Sequence, residues 1–422
     1  MRSATKSART LFVLSLAWAG CGGKSNSVQM PLCSAPQMAS PADPNVVPLI
    51  VDRGPLEANP PYYNGVFAAV TVCVPGTTVC QTVDHVLVDT GSVGLRLLES
   101  VVTLPLPAAT DDKGVALAEC LSFMDGGAWG PLYHADVQIG GESVSNIPIQ
   151  LIGDSVYPIA AGCRSNPIVG LNADDSKGSV GLSSNGVLGV GPLSEDCGDT
   201  CAASLRQSMY YACPSTCTST LVPVAEQLPN PVARFPADNN GVIIQLPCLP
   251  EMGAASVSGT LVFGIGTQSN NDLGSATILP ETMTSGIAMV DTEFPEAGAL
   301  YTGFMDSGSN EMFFLDSQTS KIGLCGTTGT AATAYCPSST TILSAIVGTG
   351  DQIAPVEFVV ANSYSLLRSK NFAFCDLAAP MPGWPVALAA FDWGLPFFFG
   401  RSVYTAIDGK ATPVGPGPFV AF

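Results

Sequence analysis

The sequence predicts an all-β protein folded as two lobes, and three observations predict it. First, only 12% of the 422 residues are charged, while 44 glycines and 34 prolines are present. Such a chain suits short strands joined by tight turns and not helical bundles. Second, short apolar runs recur between Gly, Pro, Asn and Asp clusters from about residue 46 onward, the pattern of strands between turns. Third, the stretch "VLVDTGSVGLRLL" at 86–98 has an echo, "GFMDSGSNEMFFL", at 303–315. One such turn in each half of a chain long enough for a large core implies two matched lobes.

In chain order, residues 1–20 read as a signal peptide. Arg2, Lys6 and Arg9 precede the apolar "LFVLSLAWAG", residues 11–20, which is too short to span a bilayer. Two processing patterns fit. "WAGC" followed by "GGKSNS" matches bacterial lipoproteins, with Cys21 lipidated, although Trp18 stands where they usually carry Leu. "AWA", residues 17–19, matches ordinary secretion. Either way the chain is exported, to the bacterial cell envelope as a lipoprotein or to the periplasm or medium, with membrane contact only through a lipid on Cys21. Losing three basic residues and no acidic ones takes the net charge from −18 to about −21. That charge excludes nucleic-acid binding, which needs a basic footprint. The mean hydropathy is +0.34, yet no apolar run of spanning length occurs beyond the N-terminus.

Residues 21–45, rich in Ser, Pro, Asn and Ala, read as a tether, 46–275 as an N-terminal lobe and 276–422 as a C-terminal lobe. The 14 cysteines suit an oxidising compartment, where most form disulfides. Cys73 and Cys80 flank "VPGTTV" and would close a hairpin, and Cys325 with Cys336 would close a second local loop. "CGDTC" and "CPSTC" flank a helical-looking "AASLRQSMYY" inside an apparent insertion at 194–240. Such a cluster binds zinc in some cytosolic proteins, but export favours pairing among Cys197, Cys201, Cys213 and Cys217, with no metal. If Cys21 is lipidated, thirteen cysteines remain and one is unpaired.

The repeat carries the chemistry. Asp89 and Asp306 each end an apolar run and are followed by Thr90, Gly91, Ser92 and by Ser307, Gly308, Ser309. Alone, an Asp-Thr-Gly stretch is a common side-chain-capped turn. A matched pair in separate halves implies two carboxyls facing each other. The pair resembles the signature of the pepsin-like aspartic proteases, and the resemblance extends over nearly the whole exported length. "FMDGGAWGPLYHADVQIGG", 123–141, resembles the flap hairpin and the strand after it. "NGVLGVGPLS", 185–194, resembles the strand under the first Asp turn, and "GTLVFGIGT", 259–267, the close of the first lobe. "LPFFFGRSVYTAID", 395–408, resembles the strand under the second turn, with Gly400 as its glycine. The resemblance implies a bilobal β-fold with a pseudo-twofold axis and a central cleft. It also implies one catalytic Asp from each lobe, the two sharing one proton, and no cofactor.

Like charges held close cannot both ionise, so one carboxyl would act as base on a water and the other as acid. The implied function is acid-favoured endopeptidase cleavage of an extended peptide or protein substrate, by a monomer. Two family marks differ: the flap tyrosine position holds Phe123 and the tryptophan position after the first turn holds Arg96. Trp129 then becomes the candidate to cover substrate beside Phe123. The family's long basic propeptide has no counterpart before the first lobe, so zymogen control of the usual kind is not expected. With two histidines, His85 and His134, a Ser-His-Asp triad or zinc hydrolase lacks material. The altered flap keeps open a second reading, a non-catalytic peptide- or glycan-binding envelope protein on the same fold.

Overall fold

The computed structural model describes residues 33, 35–123, 126–163, 167–174, 179–284, 286–326, 333–383 and 389–422. The signal peptide, Cys21 and its lipidation, and most of the tether lie outside the described residues.

Strands dominate, as expected. The first half contains β1 (Val46–Asp52), β2 (Gly65–Cys73), β3 (Cys80–Asp89), β4 (Val93–Leu98), β5 (Leu117–Ser122), β6 (Gly127–Ile139) and β7 (Glu142–Ile152). The short β8 (Pro167–Ile168), β9 (Gly186–Val190), helix α1 (Asp199–Ala203), β10 (Tyr210–Ala212) and β11 (Thr218–Ser219) follow, then β12 (Gly241–Leu246) and β13 (Val257–Phe263). The second half holds β14 (Ile278–Pro280), β15 (Thr282–Thr284), β16 (Ile287–Phe294), β17 (Ala299–Met305), β18 (Met312–Phe314), β19 (Thr341–Thr349) and β20 (Gln352–Val360). It closes with α2 (Ser363–Leu367), β21 (Ala378–Ala379), β22 (Phe391–Trp393), α3 (Leu395–Phe398), β23 (Arg401–Ala406), β24 (Ala411–Thr412), β25 (Gly415–Pro416) and β26 (Phe419–Ala421). Among the described residues no helix is long and apolar enough to cross a membrane.

The described strands form sheets of sixteen and eight strands, with β24 and β25 paired by themselves as a third. The last strands return to the larger sheet, so its order β1-β13-β12-β23-β26-β14 draws on both halves. There Ile243 lies opposite Tyr404, and Ile244 opposite Val403.

Each lobe threads one strand between the two arms of its Asp turn. In the first, β9 runs parallel to β3, with Gly189 opposite Asp89, and antiparallel to β4, with Gly189 opposite Gly94. In the second, β22 runs parallel to β17 and antiparallel to β18. Glycine is required at this crossing because the backbones nearly touch. A methyl group on Gly189 would meet the Val93 nitrogen at 2.6 Å, and one on Gly394 the Glu311 carbonyl at 2.1 Å. This corrects the sequence reading of the second lobe. The threading strand is "FDW", 391–393, with Gly394, and not the stretch around Gly400, which stands beyond α3 over the Cys33–Cys248 bridge. Both stretches are apolar runs ending in glycine, and only tertiary pairing separates them.

The first-lobe core is aliphatic, with Val66, Val70, Val86, Val88, Leu95, Leu97 and Leu188 buried. The second is aromatic: Phe391 stacks on both Phe314 and Trp393, with centroids 5.8 and 5.6 Å apart.

Cys73–Cys80 and Cys325–Cys336 are bonded. The insertion cysteines pair as Cys197–Cys201 and Cys213–Cys217. Two longer links, Cys33–Cys248 and Cys120–Cys163, join distant segments. Cys375 is disulfide-bonded as well, so the unpaired thiol that lipidation of Cys21 would leave is not found among the described residues. Only the start of "AASLRQSMYY" is helical. Its end becomes β10, where Tyr210 pairs with Glu119 of β5, because β5 offers an open edge to extend.

Candidate active site

Asp89 is the last residue of β3, and Asp306 directly follows β17. Each turn folds back on its own carboxyl. The Gly91 and Gly308 amides donate to Asp89 Oδ1 and Asp306 Oδ1, each at 2.8 Å. Ser92 Oγ donates to Asp89 Oδ2, and Ser309 Oγ lies 2.8 Å from Asp306 Oδ2. The residues between knit the lobes together reciprocally. The Thr90 amide donates to Ser307 Oγ at 3.1 Å, and the Ser307 amide to Thr90 Oγ1 at 2.9 Å. The hydroxyls continue to carbonyls of the opposite lobe, Thr90 to Met305 at 3.2 Å and Ser307 to Val88 at 2.8 Å.

This lattice presses the two carboxyls together, within hydrogen-bond reach of one another. The fit leaves no room for side chains on the glycines. A methyl group on Gly91 would lie 2.7 Å from the Asp306 carboxyl carbon, and one on Gly308 equally close to that of Asp89. Asp89 is only 6% exposed. Burial first, and then the charge of Asp306, push it up to about 8; its hydrogen bonds from Ser92 and Gly91 pull the other way but do not win. At neutral pH the pair therefore carries a proton. The arrangement can hold one neutral and one ionised carboxyl side by side, the requirement for paired acid and base.

Two cavities, of about 420 and 350 Å³, flank the pair and share Asp89, Asp306 and Phe123 as walls. One continues past Leu121, Leu193, Ile287 and Phe304, the other past Tyr62, Tyr63, Leu182 and Phe313. Together they form the cleft. A larger cavity of about 470 Å³, around Arg401, Tyr404 and Glu357, lies on another face and contains neither carboxyl of the pair.

The flap hairpin is β5–β6, with Ser122 opposite Gly127; Met124 and Asp125 of its turn lie outside the described residues. Phe123 lines both cavities, where the sequence placed it. Trp129 does not, and its assignment as substrate cover is corrected here. It is 2% exposed, stands opposite Cys120, packs edge-on against Tyr211 with centroids 5.2 Å apart, and donates to the Tyr157 carbonyl at 3.4 Å. Tyr211 of β10 packs against it, together with Ala118, Ala160, Cys163 and Cys213.

Arg96 proves to be the flap's anchor. Fully buried, it bonds Glu119 Oε1 of β5 at 2.7 Å and Asp196 Oδ2 at 2.9 Å, while its other arm caps the Val93 carbonyl. Tyr210 donates to Asp196 Oδ1 at 2.6 Å. Burial, then the Glu119 charge, push Asp196 well above the ordinary carboxyl range. One proton on the two acids leaves the cluster neutral with Arg96, the affordable state for ions this deep. A flap strand tied to β4 by an ion pair thus stands where the sequence comparison found a tyrosine–tryptophan bond missing.

Sequence reasoning missed Glu119, Asp196, Tyr210 and Asp392. Asp392, 2% exposed, lies 2.6 Å from Ser309 Oγ through its Oδ2. The signal for it was present: a lone carboxyl inside the apolar "AAFDWGL" is as conspicuous as Asp89 inside "HVLVDTG".

Two lobes, each offering one Asp turn to a shared cleft, define the bilobal fold of pepsin-like aspartic proteinases. A crystal structure of an aspartic proteinase from Irpex lacteus is similar to this chain, with a TM-score of 0.52, 17% identity, and coverage of 89% of this chain and 96% of that one. At that identity the likeness carries the fold alone. The chain belongs to the family described as "Protein of unknown function (DUF3443)", whose model matches residues 41–422. No curated protein matches it.

Proposed function

We propose that this protein is an exported aspartic endopeptidase that hydrolyses peptide bonds of extended substrates. The observation that carries the proposal is the Asp89–Asp306 pair, pressed together at the floor of the cleft. In this reading a water between the carboxyls is deprotonated by the ionised Asp and attacks the scissile carbonyl. The protonated Asp donates to that carbonyl's oxygen, and the proton taken from water then leaves with the amine. Phe123 covers the substrate from the flap. The disulfides support export.

The pH dependence follows from the pair. Turnover needs one shared proton, and the proton on Asp89 is held up to about 8. Activity should therefore extend from acid into the neutral range and fall as pH passes about 8. The test is a peptide-library digest from pH 3 to pH 9 with wild type and Asp306→Asn side by side. Cleavage by wild type alone is the expected result. Equal cleavage by both, or none by either, would sink the proposal. It would favour the second reading, a peptide-binding protein, which the replaced flap bond supports.

A further inference from the structure

We infer that Asp392 is a third carboxyl of the site, a positioning residue that stays protonated and turns the Ser309 hydroxyl toward Asp306. Asp306 is thereby kept as the ionised partner and Asp89 as the acid. The consequence for turnover rests on the protease reading above; the protonation of Asp392 does not.

Ser309 Oγ stands between two carboxyl oxygens, Asp306 Oδ2 at 2.8 Å and Asp392 Oδ2 at 2.6 Å. A hydroxyl has one hydrogen, so it can donate to only one of them. The other contact needs a proton from a carboxyl. Two arrangements satisfy the count. In one, Asp392 donates to Ser309 and Ser309 to Asp306. In the other, Asp306 donates to Ser309 and Ser309 to an ionised Asp392.

Surroundings decide between them. Asp306 Oδ1 receives the Gly308 amide at 2.8 Å, so an ionised Asp306 is bonded at both oxygens. Asp392 Oδ1 is buried with no hydrogen-bond partner. A charge there would be uncompensated, whereas a neutral acid leaves only a carbonyl unpaired. Asp392 lies opposite Phe304 of β17 and Phe313 of β18. Neither strand carries a basic residue, and the charged groups that act on Asp392 are Asp306 and Asp89, both acids. Glu311, five residues after Asp306, adds a further acid to that turn. Burial, then those acids, hold Asp392 well above the ordinary carboxyl range.

Two measurements test this. Infrared difference spectra of wild type minus Asp392→Asn at pH 7, with ¹³C-labelled aspartate to identify the band, should show loss of a protonated carboxyl. Loss of a carboxylate band instead overturns the inference, whether or not the protein cleaves anything. The second measurement is kinetic. Asp392→Val copies the residue found at this place in the first lobe. It should lower kcat on the order of 10–100-fold, by analogy with losing a hydrogen bond that orients a ligand at a metal site, with KM unchanged and a displaced upper limb of the pH profile. Asp392→Asn, whose amide can donate as the neutral acid does, should recover most of that loss. An unaltered kcat in Asp392→Val, or no recovery in Asp392→Asn despite an unchanged melting temperature, would overturn the positioning role. Inactivity of wild type itself would remove the protease reading and leave the infrared result to decide the rest.

Discussion

The two half-sites share a front and differ behind it. At the front, each Asp accepts from the glycine amide two residues on and meets the serine hydroxyl three residues on. Behind, the strands diverge. The β9 residue opposite Leu87 and Arg96 is Val187, and its counterpart in β22, opposite Phe304 and Phe313, is Asp392. Seven residues beyond the Asp stand Arg96 in the first lobe and Phe313 in the second. The first lobe thus pairs an apolar backing with a charged flap anchor, and the second reverses the choice. A repeated turn presents two like carboxyls, whose closeness alone makes one neutral and leaves the other ionised, but identical surroundings would give neither a preference for the proton. On the inference drawn above, the unlike residues behind the turns supply that preference.

The largest expected effect removes the front itself. Asp89→Asn and Asp306→Asn should each lower kcat by about 10²–10⁴-fold or more, with the fold intact by circular dichroism, since Asn still accepts the glycine amide. If only one mattered, the two half-sites would not act as a pair.

Next comes the anchor behind the first. Arg96→Met leaves Glu119 and Asp196 buried without their cation. Breaking such a cluster costs about 3–5 kcal/mol, to be read from urea melts. Adding Glu119→Gln should recover part of it. A loss under about 1 kcal/mol in Arg96→Met would show that the flap is held by the disulfide Cys120–Cys163 and strand pairing instead.

A third effect follows from Asp89 and pH. Its carboxyl titrates at 3.8 when unperturbed and at about 8 in the fold. Between those values the folded chain holds a proton that the unfolded chain has released, so stability falls as pH rises across the window. Asp89→Asn has no such proton. Its melting temperature relative to wild type should therefore rise from pH 4 to pH 8. A flat difference would mean that the first half-site is not the protonated one.

The smallest expected effect concerns the insertion attached to the first lobe. Cys213–Cys217 closes a loop of four residues, against 215 for Cys33–Cys248. On the chain-entropy account removing the first costs about 2 kcal/mol and the second about 5 kcal/mol, a difference that thermal melts of the paired Cys→Ser variants would resolve.

Much of the site was legible because its determinants are local. An apolar run, an acid, a small hydroxyl residue and a glycine fold into the same turn wherever they occur, so Asp89 and Asp306 with their flanks were readable as a pair. Disulfides across four to eleven residues were readable for the same reason. The misreadings were non-local. Trp129 read as a substrate cover because nothing near it in the chain announces that Tyr211 of β10 will pack against it. Gly400 and Gly394 end similar apolar runs, six residues apart, and only pairing with β17 and β18 selects the second.

The sequence by itself determined the strand-and-turn texture, the two Asp turns, and their duplication. Tertiary structure alone decided which strand threads under the second turn, which acids meet Arg96, and that Asp392 backs Asp306. The reason is physical. Turn geometry depends on neighbours within a few residues, whereas Arg96 finds its acids 23 and 100 residues away, and Ser309 finds Asp392 at 83. Whether a carboxyl is charged depends on burial and on partners at such separations, and neither exists until the lobes have closed around it.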